Sequence, residues 1–224
     1  LMCDRVLLFS SNPAKVSAEI VINLPQPRDR TSPQFEDYVD RIYVEMTAKR
    51  VERMRQALGA TGTNMELSHV SPNQISGLIE ALAAAPYDGK ADLPDIAYEQ
   101  ELEVDELFPV AEAMQLLRLA EVEGGDIKLR HMGKRFADSE LNERKEIFSR
   151  ALMSHVPLAA HIRKILDERA SHSAPKTRFL DELEDHMAED SAEETLKTVV
   201  SWARFSELFS YDDDAALFSL ENPT

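Results

Sequence analysis

The side chains in this sequence that could do chemistry are few and poorly grouped. His155 and His161 lie six residues apart across Pro157, and His131, His172 and His186 are scattered. Metal ligands usually recur at short, fixed spacings on one helix or loop, and six residues across a proline is not such a spacing. His186 has Asp181, Asp185 and Glu189 nearby and could join an adventitious site, but a histidine among carboxylates on a helix surface is the plainer reading. Asp212, Asp213 and Asp214 offer hard oxygen ligands, yet the run lacks the glycine and terminal glutamate of a calcium loop, so it reads as a polar hairpin turn. Cys3, the single cysteine, excludes an internal disulfide, argues for a reducing compartment and is expected to be a small buried hydrophobe beside a strand. Trp202 sits beside apolar positions and is expected in the core or an interface rather than stacked on a ligand. The one basic island is Lys128, Arg130, His131, Lys134 and Arg135.

Phosphate chemistry is not legible either. There is no Gly-x-x-x-x-Gly-Lys-Ser/Thr loop, no Leu-Ser-Gly-Gly-Gln-like segment and no apolar strand ending in Asp-Glu. The chain has only 7 glycines, and its Gly124-Gly125 pair falls between two strand-like runs. Nucleotide hydrolysis needs backbone amides, a lysine and a magnesium ligand around the phosphates. No catalytic, cofactor-binding or metal-ligating residue is therefore assigned, and no cofactor is expected in this chain.

The elements that would have to position these groups are mostly helices. Residues 6–9 and 20–24 are apolar runs around a Ser-Asn-Pro turn, which predicts two short strands of the kind buried in a larger sheet. Pro25 to Pro33 is a polar connector. Glu36 to Gly59 reads as a helix, with Phe35, Val39, Ile42, Tyr43 and Met46 at helical spacing. Residues 59–74 lose periodicity and gather Gly, Thr, Asn and Pro, so they are expected to be a linker.

Beyond it the order repeats. Helices are predicted near Ile75–Ala84, Leu93–Gln100 and Asp105–Arg118, followed by a hairpin, Ala120–Glu123 and Asp126–Arg130, across Gly124-Gly125. Helices then recur at about Leu158–Glu168, Phe179–His186 and from Ser191, where Ser191 and Glu194 fit a capping box. A second hairpin, Glu207–Tyr211 and Ala215–Leu220, closes the series. Sliding the first unit by 86 residues pairs Val110 with Leu196, Ala113 with Val199, Met114 with Val200, Leu117 with Ala203, Leu119 with Phe205 and Val122 with Leu208. Between the units, Ser139 to His155 predicts a connecting helix with Ile147, Phe148, Ala151 and Leu152 inward, ended by Pro157. Three helices and a hairpin make a winged helix.

Two stretches resemble known families. Cys3-Asp-Arg-Val-Leu-Leu-Phe-Ser-Ser-Asn-Pro with Ala18-Glu-Ile and Leu24-Pro-Gln-Pro-Arg-Asp-Arg30 resembles the last part of an ABC-transporter ATPase subunit of the nitrate/sulfonate/taurine importer type, where it follows the switch histidine of the nucleotide-binding domain. Residues 75–221 resemble the C-terminal AAA-associated domain fused behind some of these subunits. The matching stretches are Ala91-Asp-Leu-Pro94, Glu103-Val-Asp-Glu-Leu107, His155-Val-Pro-Leu-Ala-Ala-His-Ile162, Arg178-Phe-Leu-Asp-Glu-Leu-Glu-Asp185 and Leu208-Phe-Ser-Tyr-Asp-Asp213.

The resemblance implies a division into residues 1–58, a C-terminal remnant of the nucleotide-binding domain, a linker over 59–74, and the AAA-associated domain over 75–221, with winged-helix units at about 75–136 and 158–221 joined by the helix 139–155. The expected fold class is mainly α with small β-hairpins (α+β): tandem winged-helix-like units behind a β-hairpin and helix left over from an ABC ATPase domain. ATP and magnesium belong to the full-length parent. Residues 1–25, without the ATPase sheet, should pair with the same segment of a second copy or pack onto the second domain.

Composition restricts the function classes. Net charge is −16; the first 50 residues are close to neutral and the remainder carries nearly all the excess acid. That argues against nucleic acid, where phosphate contacts supply most non-specific affinity. A winged helix would offer Glu106, Glu112, Gln115 and Arg118, or Glu193, Glu194, Lys197, Ser201 and Arg204, to a major groove. Its wings, with Glu121, Glu123 and Asp126 or with Asp212–Asp214, would repel phosphates. No apolar run approaches a membrane span, and no signal-peptide pattern is present.

The expectation is a non-catalytic regulatory or interaction domain of an importer's ATP-binding subunit. It would be cytoplasmic and peripheral to the inner membrane, homodimeric, and in contact with the ATPase core and the permease, touching the membrane only through the permease. A winged-helix DNA-binding regulator and a small-molecule or ion sensor controlling transport are the alternatives.

Overall fold

A computed structural model of the 224-residue chain describes residues 3–10, 15–28, 65–102 and 104–220, with single positions at 32, 34, 35, 38, 41 and 42. Of the helix expected over Glu36–Gly59, Tyr38, Arg41 and Ile42 are described and are helical; the rest, and residues 59–64 of the expected linker, lie outside the described residues. The chain divides into two compact units, Leu1–Arg53 with Glu123–Gly125, and Met54–Val122 with Asp126–Thr224. The fold is mixed α+β, mainly helical with small antiparallel sheets. Among the described residues no helix is long and apolar enough to cross a membrane.

In the first unit, β1 (Arg5–Ser10) and β2 (Lys15–Val21) form an antiparallel hairpin with Arg5 opposite Val21 and a bulge between Leu8 and Phe9. Side chains alternate across a strand, and only one face is covered. Ile20 is buried, as is Ile22 just beyond β2, while Leu7, Phe9, Val16 and Val21 stay exposed, Phe9 at 64%. The continuous apolar runs predict burial on both faces; among the described residues nothing covers the second. Arg28 anchors the connector. Its guanidinium donates to Cys3 O at 2.6 Å and Leu24 O at 3.3 Å and pairs with Asp4. Cys3 is exposed, contrary to expectation, because it sits two residues before β1 begins.

The second unit holds two copies of one element order. The first copy runs α1 (Pro72–Ala83), β3 (Lys90–Asp92), α2 (Leu93–Glu99), α3 (Val104–Leu116), β4 (Ala120–Glu123) and β5 (Asp126–Leu129). After α4 (His131–Asp138) and the connecting α5 (Leu141–His155) comes the second copy. It comprises α6 (Pro157–Glu168), β6 (Ser173–Pro175), α7 (Lys176–Glu184), α8 (Glu189–Ser206), β7 (Ser210–Asp212) and β8 (Leu217–Ser219). Each copy closes a three-stranded sheet with its last strand in the middle, β3-β5-β4 and β6-β8-β7.

Local chemistry accounts for the boundaries. The Ser71 hydroxyl caps α1 by accepting Gln74 N–H at 3.2 Å, and the Gln74 side chain accepts Ser71 N–H at 2.9 Å, with Pro72 in the first turn. Helix therefore begins at Pro72, three residues before the predicted start. Pro157 likewise stands in the first turn of α6, there without a side-chain cap bond. The Gly124-Gly125 turn has φ of 64° and 95°, the left-handed values that a tight hairpin needs.

At Gly133 a Cβ would collide with the backbone oxygen of Leu119; only glycine allows α4 to pass there. The capping box expected at Ser191 does not form. Here α8 begins two residues earlier, after Ala188, without a side-chain cap bond, so Ser191 is already inside the helix. The strands β3 and β6 are absent from the predicted elements, because three residues are too short to show alternation.

The copies align differently from the 86-residue slide. Helix α3 is followed by Arg118 at φ 59° and α8 by Glu207 at φ 55°, 89 positions later. In each case the next amide reaches back five residues, Leu119 N to Met114 O and Leu208 N to Ala203 O, both at 2.9 Å. Offsets of 86 and 89 differ by close to one helical turn, so an amphipathic face matches itself under either. Val110, Ala113, Met114, Leu117, Leu119 and Val122 are all buried, as are Leu196, Val199, Val200, Ala203 and Leu208, with Phe205 half-buried.

The core lies where α5 packs on α8. Phe148 meets Trp202 edge-on at 6.0 Å and Phe205 at 5.1 Å. In the second sheet Phe218 is surrounded by Phe179, Phe209 and Tyr211, with ring centroids 4.7–5.8 Å away. Ile147 and Leu152 of α5 are fully buried and Ala151 half-buried.

Candidate interaction surface

The helix that a winged helix would present to DNA in the second copy is α8, and one side of it is already occupied. Residues 65–70, without regular structure, run along it as a strap. Leu67 N–H donates to Thr195 Oγ1 at 3.1 Å and His69 N–H to Glu194 Oε1 at 3.0 Å. Thr198 Oγ1 donates to Ser68 O at 3.3 Å, and the Trp202 indole N–H donates to Val70 O at 2.7 Å. Met65 and Val70 are buried, and Thr195, Thr198 and Trp202 are almost wholly so. Buried polar groups must be partnered, and the strap supplies the partners. Positions 195, 198 and 202 lie on one stripe of the helix, which is why one short segment reaches all three.

Most of the charges expected to face outward from α8 are engaged within the chain. Glu193 pairs with Lys176 at 2.8 Å, and this bond holds the Glu193 carboxyl below its usual range and pushes the Lys176 ammonium up. Arg204 donates to Tyr211 O and Asp213, each at 2.5 Å, and lies over the Tyr211 ring. Ser201 is half-buried and Lys197 exposed. In the first copy Glu106 and Arg118 are exposed, and Glu112 and Gln115 half-buried.

The two hairpins carry acidic residues at their turns. Glu121 and Glu123 are exposed, and Asp126 pairs with Lys90 at 2.5 Å. Asp212 folds its carboxylate onto the amides of Asp214 and Ala215, both at 2.9 Å, and so forms a turn.

The basic island spans the end of β5 and the start of α4. Lys128, Arg130, His131, Lys134 and Arg135 are all exposed; Arg135 is paired with Glu143 through Nε at 2.8 Å, which lowers the carboxyl's pKa. The histidines remain apart. His161 Nε2 lies 2.8 Å from Glu182, itself paired with Arg178. His172 Nδ1 meets Leu166 O at 3.1 Å, and His186 is exposed. Among the described residues no three His, Cys, Asp or Glu side chains gather as a metal-holding set. His155 is half-buried at the end of α5; burial, and then the charges of Arg118 and Arg130, push its pKa down.

Residues 94–212, from α2 to β7, match the family described as the C-terminal AAA-associated domain. The chain belongs to this family. A search of curated proteins gave no match, and neither did a search of solved structures.

The AAA-associated domain match thus covers α3, the connecting helices and α8, and leaves the strap, α1 and β3 outside its limits. The strap is the structural element on this surface that sequence reasoning missed, since Met65–Val70 reads as linker. A signal was present in Thr195 and Thr198, two hydroxyl-bearing residues on the apolar face of α8 that needed partners.

Proposed function

We propose that this chain is the non-catalytic regulatory and interaction module of the ATP-binding subunit of an ABC importer. ATP and magnesium would be handled by the full-length parent, which couples hydrolysis to uptake of nitrate, a sulfonate, taurine or a similar small anion. The family match supports attachment to an ATPase. The observation that carries the interaction reading is α8. In a tandem winged-helix arrangement this is the DNA-reading helix, and here it has the strap along one side and most of its charges committed internally. The exposed charges left on it are Glu189, Asp190 and Lys197, and the chain carries a net charge of −16, which suits protein contact better than phosphate contact. The partners on this reading are a second copy, the ATPase core and the cytoplasmic side of the permease, at the inner membrane.

Removing residues 65–220 from the full-length subunit, then measuring ATP turnover and transport in the assembled importer, tests this. A changed ratio of turnover to transport is expected; identical values in the two proteins would refute the role. DNA regulation is the competing reading. Saturable, salt-dependent binding of duplex DNA by the isolated chain would establish that reading instead.

A further inference from the structure

We propose that Tyr98 and Leu102, with the carboxylates of Asp95, Glu99 and Glu101 beside them, form a docking surface for a lysine- or arginine-rich segment of a partner protein that also carries an apolar side chain. The proposal does not rest on the importer reading. Helix α2 buries Leu93, Ile96 and Ala97, and Asp95, Tyr98 and Glu99 share its opposite, solvent-facing side. Tyr98 is 86% exposed, more than any other large hydrophobic side chain among the described residues, and Leu102 is 40% exposed. Glu101 N–H donates to Tyr98 O at 3.2 Å and Leu102 N–H to Ala97 O at 2.9 Å, with Glu101 at φ 53°. These bonds turn the chain back at the end of the helix, which keeps Glu101 and Leu102 next to Tyr98.

The charge around the ring has no local counterpart. No Lys, Arg or His occurs between Lys90 and Arg118, and Asp95, Glu99 and Glu101 have no ion pair among the described residues. The second copy shows the alternative. Ala91 of β3 and Ala174 of β6 each lie opposite a buried residue of the closing strand, Ile127 or Phe218. Counting on from them, Ile96 matches Phe179, both fully buried, Tyr98 matches Asp181, and Glu99 matches Glu182. At these positions α7 has an exposed aspartate and a glutamate held by His161 at 2.8 Å and Arg178 at 3.3 Å. The same face is therefore closed within the chain in one copy and open in the other. An aromatic side chain is a favoured anchor at the centre of a contact, and carboxylates around it select a cationic partner. A lysine or arginine over the ring gains cation–π attraction as well. A second copy is disfavoured as the occupant, because each copy carries a net charge of −16.

The test titrates the whole chain into a fluorescein-labelled synthetic peptide of lysines and leucines at helical spacing, and into its counterpart with glutamate for each lysine, followed by fluorescence anisotropy. Saturable, salt-dependent binding of the lysine peptide is expected, with none of the glutamate peptide. Tyr98→Asp, which copies the second repeat, should weaken binding about tenfold. A general attraction to an acidic chain would instead strengthen, because that substitution adds a negative charge. Asp95→Asn/Glu101→Gln should weaken binding and flatten its salt dependence. Asp181→Asn, at the equivalent exposed position of α7, should leave it unchanged. A native chain that ignores the lysine peptide or binds both peptides alike would overturn the surface. So would unaltered or tighter binding by a Tyr98→Asp chain of native Tm. Self-association of the native chain that disappears in Tyr98→Asp would overturn the choice of partner and give the surface to a second copy.

Discussion

Replacing Trp202 with phenylalanine isolates one bond of the strap. The ring that meets Phe148 edge-on would remain, so most of the aromatic packing in the core would persist. What disappears is the indole N–H to Val70 O at 2.7 Å, together with the second ring of the indole. Val70 is 1% exposed, so its carbonyl would be left as a buried acceptor without a donor. Such a group costs about 1–3 kcal/mol, and the void left by the smaller side chain adds to that. A domain of this size loses about 2–4 °C of Tm per kcal/mol, so a drop of several degrees is expected.

Urea unfolding gives the stability change, and hydrogen exchange shows where it acts. The Leu67 and His69 amides, which donate to Thr195 and Glu194, should exchange faster in the variant, because the strap is held by a series of bonds and loses its last one. Amides in α6 and α7 should change only as much as global stability does. A variant within about 0.5 kcal/mol of the native chain, the usual range for surface substitutions, with unchanged exchange over residues 65–70, would refute the idea that the strap is bonded to α8 through Trp202.

Three further outcomes follow from the same geometry. Gly133→Ala must push α4 away from Leu119 O and should cost roughly 1–3 kcal/mol, as overpacking does; a urea midpoint equal to that of the native chain would contradict the close approach. His155 is held below its ordinary pKa of 6.5, so the unfolded chain binds its proton first as pH falls. Its contribution to stability should be complete above the unfolded value and diminish as pH drops through and below it. Urea titrations between pH 5 and 8 should show that slope reduced in His155→Gln, and a native chain growing more stable as pH falls from 8 to 5 would reverse the assignment. Phe9→Ser with Val16→Ser removes apolar surface from the uncovered hairpin face; light scattering should then show weaker self-association, and no change would take that face out of any contact between copies.

The parts of the fold that were legible are those with a long repeating signal. The third helix of each copy and the connecting helix show their apolar faces at helical spacing, and Gly124-Gly125 marks its hairpin because few other residues accept both φ values. Ser71 and Gln74 also carry a readable capping signature, which begins four residues upstream of where periodicity starts at Ile75. Ser191 and Glu194 carry the same signature and yet lie inside α8, because a capping box is specified by only two positions and recurs by chance. The strands β3 and β6 exist only through pairing with β5 and β8, so no local pattern announces them. The strap is invisible for a related reason. Its bonds join residues about 130 positions apart, and its own sequence is as irregular as a linker's.

Cys3 carries the chain's single sulfhydryl, open to solvent two residues before β1. A maleimide dye would therefore attach at one defined point without any engineered substitution. Its emission, changing as the neighbouring apolar strands leave water, would signal in real time when something settles over them.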